Sequence, residues 1–150
     1  MAIEIRQFKH HDLKQLLAIF GKNIPQFFAP HEMAEYVDYL TNYPSNYFVI
    51  EYEGAAAGGA GYRLTGNGVS GSITWIFFDP MFKGHGLGRM TITYLMKELK
   101  VVHKVDAVQV RTSQLAYRFF EKFGFEITST TKDFWAPGLD LYEMSIPIVW

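Results

Sequence analysis

Apolar positions recur along the chain in two rhythms, one with the period of a strand and one with the period of a helix. Ile3 and Ile5 alternate with charged neighbours and predict a short strand over residues 3–6. Leu13, Leu16, Leu17 and Phe20 then repeat at the spacing of one helix face, which predicts a helix over 12–20. Met33, Val37 and Leu40 do the same over 31–40 and leave Glu32, Glu35 and Asp38 to the solvated face. Runs rich in aromatic and β-branched residues predict strands over 47–52, 57–64 and 70–78, with Glu53-Gly54 and Gly66-Asn67-Gly68 as the turns between them. Ile92, Leu95, Met96, Leu99 and Val102 mark a longer helix. A buried strand over 107–111, a helix to Phe123 closed by Gly124, and final strands over 125–131 and 141–146 complete the order. The class is α/β, a sandwich built on a mixed sheet.

Composition narrows the setting. A chain of 150 residues with 49% hydrophobic content, no low-complexity linker and no internal repeat suits one domain spanning residues 1–150. A net charge of −1 advertises no surface for nucleic acid or anionic membrane. Glu4, Arg6 and Lys9 interrupt any leader-like apolar run, and no later stretch is long enough to span a bilayer, so a cytoplasmic location is expected. Without cysteine there is no disulfide to infer and no thiol nucleophile. The apolar tail Ile146-Pro147-Ile148-Val149-Trp150 points to a contact with a second subunit, and hence to a homodimer.

The chemistry concentrates between the strand ending at Phe78 and the helix that follows. There the chain reads Lys83-Gly84-His85-Gly86-Leu87-Gly88-Arg89. Alternating glycines allow a tight turn that aims several N–H groups at one anion, and the next helix adds its positive end. A dinucleotide fingerprint would need a third glycine where Arg89 stands, with an acidic residue further on to read the ribose. A Walker loop would need Gly-Lys followed by Ser or Thr, whereas Gly88 is followed by Arg89 and Met90.

The order strand, Asp79-Pro80, glycine loop, helix resembles the pyrophosphate-binding motif of the GCN5-related N-acetyltransferase (GNAT) family, Gln/Arg-x-x-Gly-x-Gly/Ala. Lys83 takes the first place, and Gly86 and Gly88 the glycine places. Downstream, Ala116-Tyr117-Arg118-Phe119-Phe120-Glu121-Lys122-Phe123-Gly124-Phe125 is similar to the family's segment Asn-x-x-Ala followed by Tyr-Glu-Lys-x-Gly-Phe. The two matches span about residues 73–125. The resemblance implies the acyl-CoA N-acyltransferase fold, a mixed central sheet with splayed middle strands flanked by helices. It also implies direct acetyl transfer from acetyl-CoA, without a metal, to a primary amine of a small molecule or peptide. Pantetheine would lie along Ile76, Phe77 and Phe78, with the Phe78 N–H donating to the oxyanion. The pyrophosphate would sit on Lys83, Gly84, His85, Gly86, Leu87, Gly88 and Arg89, and Ser113 and Phe120 would border the cofactor. The competing reading is an acyl-CoA-binding sensor or regulatory module with little catalysis.

Two positions depart from the family pattern. The tyrosine that often protonates the leaving thiolate falls at Phe120, and the asparagine that opens the segment is Ser113. A phenyl ring donates no proton, so Ser113, Tyr117 or a water is the nearest source. The strand Ile73 to Phe78 carries no carboxylate to act as a base. His10-His11 diverge as adjacent side chains and have no companion ligands, so no metal site is expected. On the acceptor side the candidates are Trp75 and Trp135, the latter in a loop over 133–140 turned by Pro137-Gly138. Phe27, Phe28, Tyr36, Tyr39 and Phe77 are further aromatic candidates for that pocket.

Overall fold

The strand-forming runs of the N-terminal half pair in chain order. In the computed structural model, which describes residues 2–149, β1 (Ile3–Gln7), β2 (Tyr47–Tyr52), β3 (Ala55–Thr65) and β4 (Ser70–Phe78) are successive antiparallel neighbours. The helices α1 (Leu13–Gly21) and α2 (Glu32–Asn42) fill the long β1–β2 connection. Next come α3 (Leu87–Lys97), β5 (Ala107–Thr112), α4 (Tyr117–Glu121), β6 (Glu126–Ala136) and β7 (Leu139–Pro147). All seven strands form one sheet in the order β1-β2-β3-β4-β5-β7-β6. Among the described residues its one parallel pair is β4–β5, and a parallel pair needs a crossover, which α3 supplies.

Each face of the sheet buries its own apolar cluster. Ile92 and Leu95 from α3 and Leu99 from the turn that follows it pack with Val108, Val110, Phe120 and Phe125 on one face. Leu16 and Phe20 from α1 pack with Tyr36 and Leu40 from α2, and with Val49 and Phe77 from the sheet, on the other. Arg6 ties β1 to the turn ahead of α1 and to β2: it chelates Asp12 at 2.8 and 2.9 Å and donates to Glu51 at 2.9 Å.

Several sequence expectations need correction. The inward face of α2 is Glu32, Tyr36, Tyr39 and Leu40, with Met33 and Val37 only partly covered, so two tyrosines join Leu40 on the side toward the core. Glu32 is buried because its carboxylate accepts from the Ala29 N–H at 2.7 Å, and burial pushes its pKa up. The helix after the glycine loop changes to a π turn over Glu98–Val102. The extra residue in that turn shifts the phase, so Leu99 is buried while Val102 is exposed. The segment 133–140 is mostly strand, since β6 and β7 extend to the Pro137-Gly138 turn. In the apolar tail, Ile146 and Ile148 pack on the chain's own core and the Ile148 N–H bonds the Asp106 carbonyl, while Trp150 lies outside the described residues.

Candidate active site

The site is built around a defect in β4. Pairing of β3 with β4 runs from Gly61 opposite Thr74 to Gly59 opposite Phe77, so β4 carries one extra residue there. Trp75 takes up the extra length with φ of 46°, a left-handed conformation that is strained for an aromatic residue. Thr74 and Trp75 both face α2, where Tyr39 bonds Thr74 Oγ1 at 3.0 Å and Trp75 lies among the rings of Tyr36 and Phe28. Beyond them the alternation resumes with its phase reversed: Phe77 faces the α1–α2 side, and Ile76 and Phe78 face α3.

The bulge coincides with a parting of the sheet. β4 and β5 pair only from Ser70 opposite Ala107 to Ile73 opposite Val110, which leaves Thr74–Phe78 with no strand on that side. The Asp79 N–H bonds the Ala57 carbonyl, so by the alternation of antiparallel ladders the neighbouring Gly58–Phe78 pair turns its N–H and C=O groups outward. The Phe78 carbonyl is then met by the Asn23 amide at 3.1 Å. The Phe78 N–H faces the opening, where sequence reasoning put the oxyanion donor. Asp79 anchors the end of the strand: it accepts from the Met81 N–H at 3.0 Å and from Lys22 at 2.9 Å. Burial alone would raise its pKa, but these two partners outweigh it and hold the carboxyl below its usual range.

The glycine loop lies at the same end of β4. Gly84 (φ 90°) and Gly86 (φ 78°) both need the left-handed region, and a Cβ on either would meet nothing within 4 Å. Gly86 is the N-cap of α3 and no side chain caps that helix. An exposed, uncapped helix start behind two left-handed glycines, flanked by exposed Lys83 and Arg89, fits a pyrophosphate. Gly88 serves a different purpose, since a Cβ there would stand 2.6 Å from the Phe119 ring; its small size lets α3 pack on α4. His85 leans on Tyr52, ring centroids 4.6 Å apart, with Nδ1 and the hydroxyl at 3.1 Å.

Across the opening, Ser113 stands where the family's asparagine would, outside any helix. It lies in the turn ahead of α4, where its Oγ accepts from the Leu115 N–H at 3.2 Å and its carbonyl accepts from Ala116 and Tyr117. Tyr117 opens α4, half-buried, with its ring 4.8 Å from that of Tyr142. Phe120 is buried between Phe119 and Phe125, so its ring is explained by packing alone.

The two acceptor-side tryptophans belong to separate clusters. Trp75 borders an open cleft of about 500 Å³ that is also lined by Glu35, Asp38, Tyr39 and Tyr43. Glu35 and Asp38, placed by the sequence on the solvated face of α2, therefore line the cleft next to the bulge. Trp135 stands where β6 departs from its register with β7. Its indole N–H bonds the Thr112 carbonyl at 3.2 Å, and Arg111 lies over its ring. Tyr36 and Phe77 are core residues. Sequence reasoning missed Asn23, Tyr47 and Tyr43. Only Tyr47 left a signal, in the glycines at 58, 59 and 61 that mark a close approach to an otherwise apolar strand. Among the described residues no cluster of three or more His, Asp or Glu could hold a metal ion.

Comparison with known proteins places this geometry. A curated N-alpha-acetyltransferase from Sulfurisphaera tokodaii (strain DSM 16993 / JCM 10545 / NBRC 100140 / 7) is 24% identical, covering 96% of this chain and 92% of its own. The crystal structure of Ard1 from Thermoplasma volcanium superposes with a TM-score of 0.85 at 18% identity, over 100% of both chains. The structure of yncA from Salmonella typhimurium with its cofactor acetyl-CoA superposes with a TM-score of 0.73 at 20% identity, over 99% of this chain and 95% of the other. The model of the acetyltransferase (GNAT) family matches residues 13–125, which contain the bulged strand, the glycine loop and α4, and the chain belongs to that family.

Proposed function

We propose that the protein transfers an acetyl group from acetyl-CoA to a primary amine by direct attack. The observation that carries this reading is the coincidence, at one end of β4, of an unpaired strand segment and an uncapped helix start behind left-handed glycines. Acetyl-CoA supplies a thioester carbonyl; the amine forms the new C–N bond, the C–S bond breaks, and CoA leaves as its thiol. Residues 83–89 hold the pyrophosphate, and the backbone of Ile76–Phe78 lies along the pantetheine. The Phe78 N–H donates to the oxygen on which negative charge develops. Tyr117, or Ser113 with its hydroxyl hydrogen, returns a proton to the departing sulfur. The amine gives up its own proton to water in the open cleft beside Trp75, whose carboxylates Glu35 and Asp38 favour an incoming ammonium.

The S. tokodaii relative is named for acetylation of α-amines, which makes the N-terminal amine of a peptide the first acceptor to try. No observation favours the alternative of a binding module without chemistry, because the burial of Phe120 explains that residue without a loss of function. The test is CoA release from acetyl-CoA across a panel of peptides and small amines, beside a titration of acetyl-CoA binding. Turnover of at least one amine is expected. Saturable binding with no turnover on any acceptor would favour the sensor.

A further inference from the structure

Tyr47 reaches across β3 to the bulge in β4. It sits in β2 opposite Gly61 and diagonal to Gly59, and it is fully buried. A Cβ at Gly59 would stand 2.5 Å from the Tyr47 hydroxyl, and one at Gly61 would stand 2.6 Å from its ring, so β3 is floored with glycine where the ring passes over. Beyond β3 the hydroxyl donates to the Trp75 carbonyl at 2.7 Å. Tyr36 donates in turn to the Tyr47 oxygen at 3.0 Å, which leaves Tyr47 its own hydrogen for Trp75. Burial raises the pKa of both phenols, so they stay protonated and the chain keeps its direction.

The Trp75 carbonyl belongs to the residue with positive φ at the point where β4 reverses its phase. If that peptide rotated back toward a regular strand, the outward set Ile76 and Phe78 would turn toward β3 and the opening would lose its N–H donor. Resting on the acyl-transfer reading above, we propose that Tyr47 is a positioning residue, whose hydroxyl, reaching over Gly59 and Gly61, fixes the bulge that aims the Phe78 N–H at the thioester carbonyl. Misplacing a catalytic group by about 1 Å can cost about 100-fold in rate.

The test is Tyr47→Phe beside Tyr36→Phe. Both remove one buried hydroxyl from the same chain, but only the first breaks the bond to Trp75. The primary readout is the carbonyl stretching frequency of isotope-labelled acetyl-CoA bound to each variant, which reports the hydrogen bond to the acyl oxygen and needs no acceptor. The wild type and Tyr36→Phe should lower the frequency relative to free acetyl-CoA, whereas Tyr47→Phe should return it toward the free value. With the best acceptor of the amine panel, Tyr47→Phe should lose about 10- to 100-fold in kcat, with CoA affinity changed less than threefold, because the glycine loop is untouched. An unchanged frequency and kcat in Tyr47→Phe, alongside a lowered melting temperature, would make Tyr47 merely structural and end the proposal. A wild-type carbonyl that binds without any shift, or a wild type that does not bind acetyl-CoA, would overturn the acyl-transfer reading itself and this inference with it. Should Tyr47→Phe not fold, Gly59→Ala displaces the hydroxyl while keeping it, and the same loss of shift is expected; a retained shift there counts against the proposal.

Discussion

The side-chain amide of Asn23 joins the last turn of α1 to the end of β4: its Nδ2 donates to the Ile19 carbonyl and to the Phe78 carbonyl, each at 3.1 Å. Phe78 needs such a partner because β5 has already diverged, and a buried carbonyl with no donor is costly. Its neighbour Lys22 binds Asp79 at 2.9 Å, so two consecutive residues beyond α1 grip two consecutive residues of the strand end. The peptide just after the proposed oxyanion donor is thereby fixed from both sides, by Asn23 on its oxygen and by the Ala57 carbonyl on its nitrogen.

Asn23→Ala should therefore lower stability by about 1–3 kcal/mol, the cost of leaving the Phe78 carbonyl without a donor, since the Ile19 carbonyl keeps the Lys22 N–H. Asn23→Asp keeps the size but aims a carboxylate at two carbonyl oxygens, and it should be worse than alanine at neutral pH. Urea unfolding of the three proteins checks the order; an aspartate variant as stable as wild type would mean the amide donor contributes nothing.

The loop glycines should separate into two classes. At Gly86 a side chain meets open space, and Asp is among the residues that tolerate the left-handed region, so Gly86→Asp should fold. Its negative charge at the helix start should raise the acetyl-CoA dissociation constant at least about tenfold. Gly88→Ala should instead destabilise by about 1–3 kcal/mol, because its methyl overlaps the Phe119 ring. The penalty should largely vanish in a Phe119→Ala background, measured as a double-mutant cycle in urea. Additive effects of the two substitutions would contradict the packing role.

Asp12 links folding to pH. Its bidentate bond from Arg6 is the largest influence and holds its pKa below the usual value, against the effect of burial. A carboxyl with a depressed folded pKa contributes stability in full above its unfolded pKa, near 3.8, and loses it as pH falls through the lower folded value. Asp12→Asn should cost about 2 kcal/mol at pH 7, and the gap to wild type should narrow progressively below about pH 4. Urea midpoints at a series of pH values report the difference, and a gap independent of pH would rule out this linkage.

The sequence made the order of elements legible because its helices bury one face and leave the other wet, and its strands are aromatic and β-branched runs bounded by glycine turns. Glycine loop and crossover helix could be read for the same reason, since left-handed glycines leave few alternatives. What stayed hidden was the bulge. A single extra residue in a strand of six consecutive apolar or β-branched residues, Ile73 to Phe78, leaves no mark in a hydrophobic pattern that is continuous on both faces. The polar residues that secure this end of the strand, Tyr47 and Asn23, lie 28 and 55 positions from their partners Trp75 and Phe78; only Tyr47 leaves a trace, in the glycines of β3, and those do not say which residue of β4 it meets. An aromatic ring with a polar tip reads equally well as core or pocket, which is why the pattern could not separate Tyr36, fully buried and bonded to Tyr47, from Tyr39, which bonds Thr74 and lines the cleft.

The proton for the leaving sulfur is the sharpest remaining test of the chemistry. Tyr117 and Phe120 both belong to α4, but Phe120 is packed between two phenylalanines while Tyr117 is half-buried against Tyr142. If Tyr117 is the donor, Tyr117→Phe should lower kcat by about 100-fold, at the lower end of what general acid help contributes. Acetyl-CoA affinity should stay near wild type, because the cradle is made by residues 83–89. The deficit should widen as pH rises toward 9, since the proton that solvent provides in its place becomes scarcer. Adding Phe120→Tyr to that variant puts a hydroxyl at the position the family pattern uses, and it should recover part of the lost kcat. A pH–rate series on the three proteins, run at saturating acetyl-CoA with the best amine of the panel, measures all of this at once. Equal kcat for wild type and Tyr117→Phe at every pH would remove Tyr117 from the mechanism and leave Ser113, tested by Ser113→Ala, as the donor to examine.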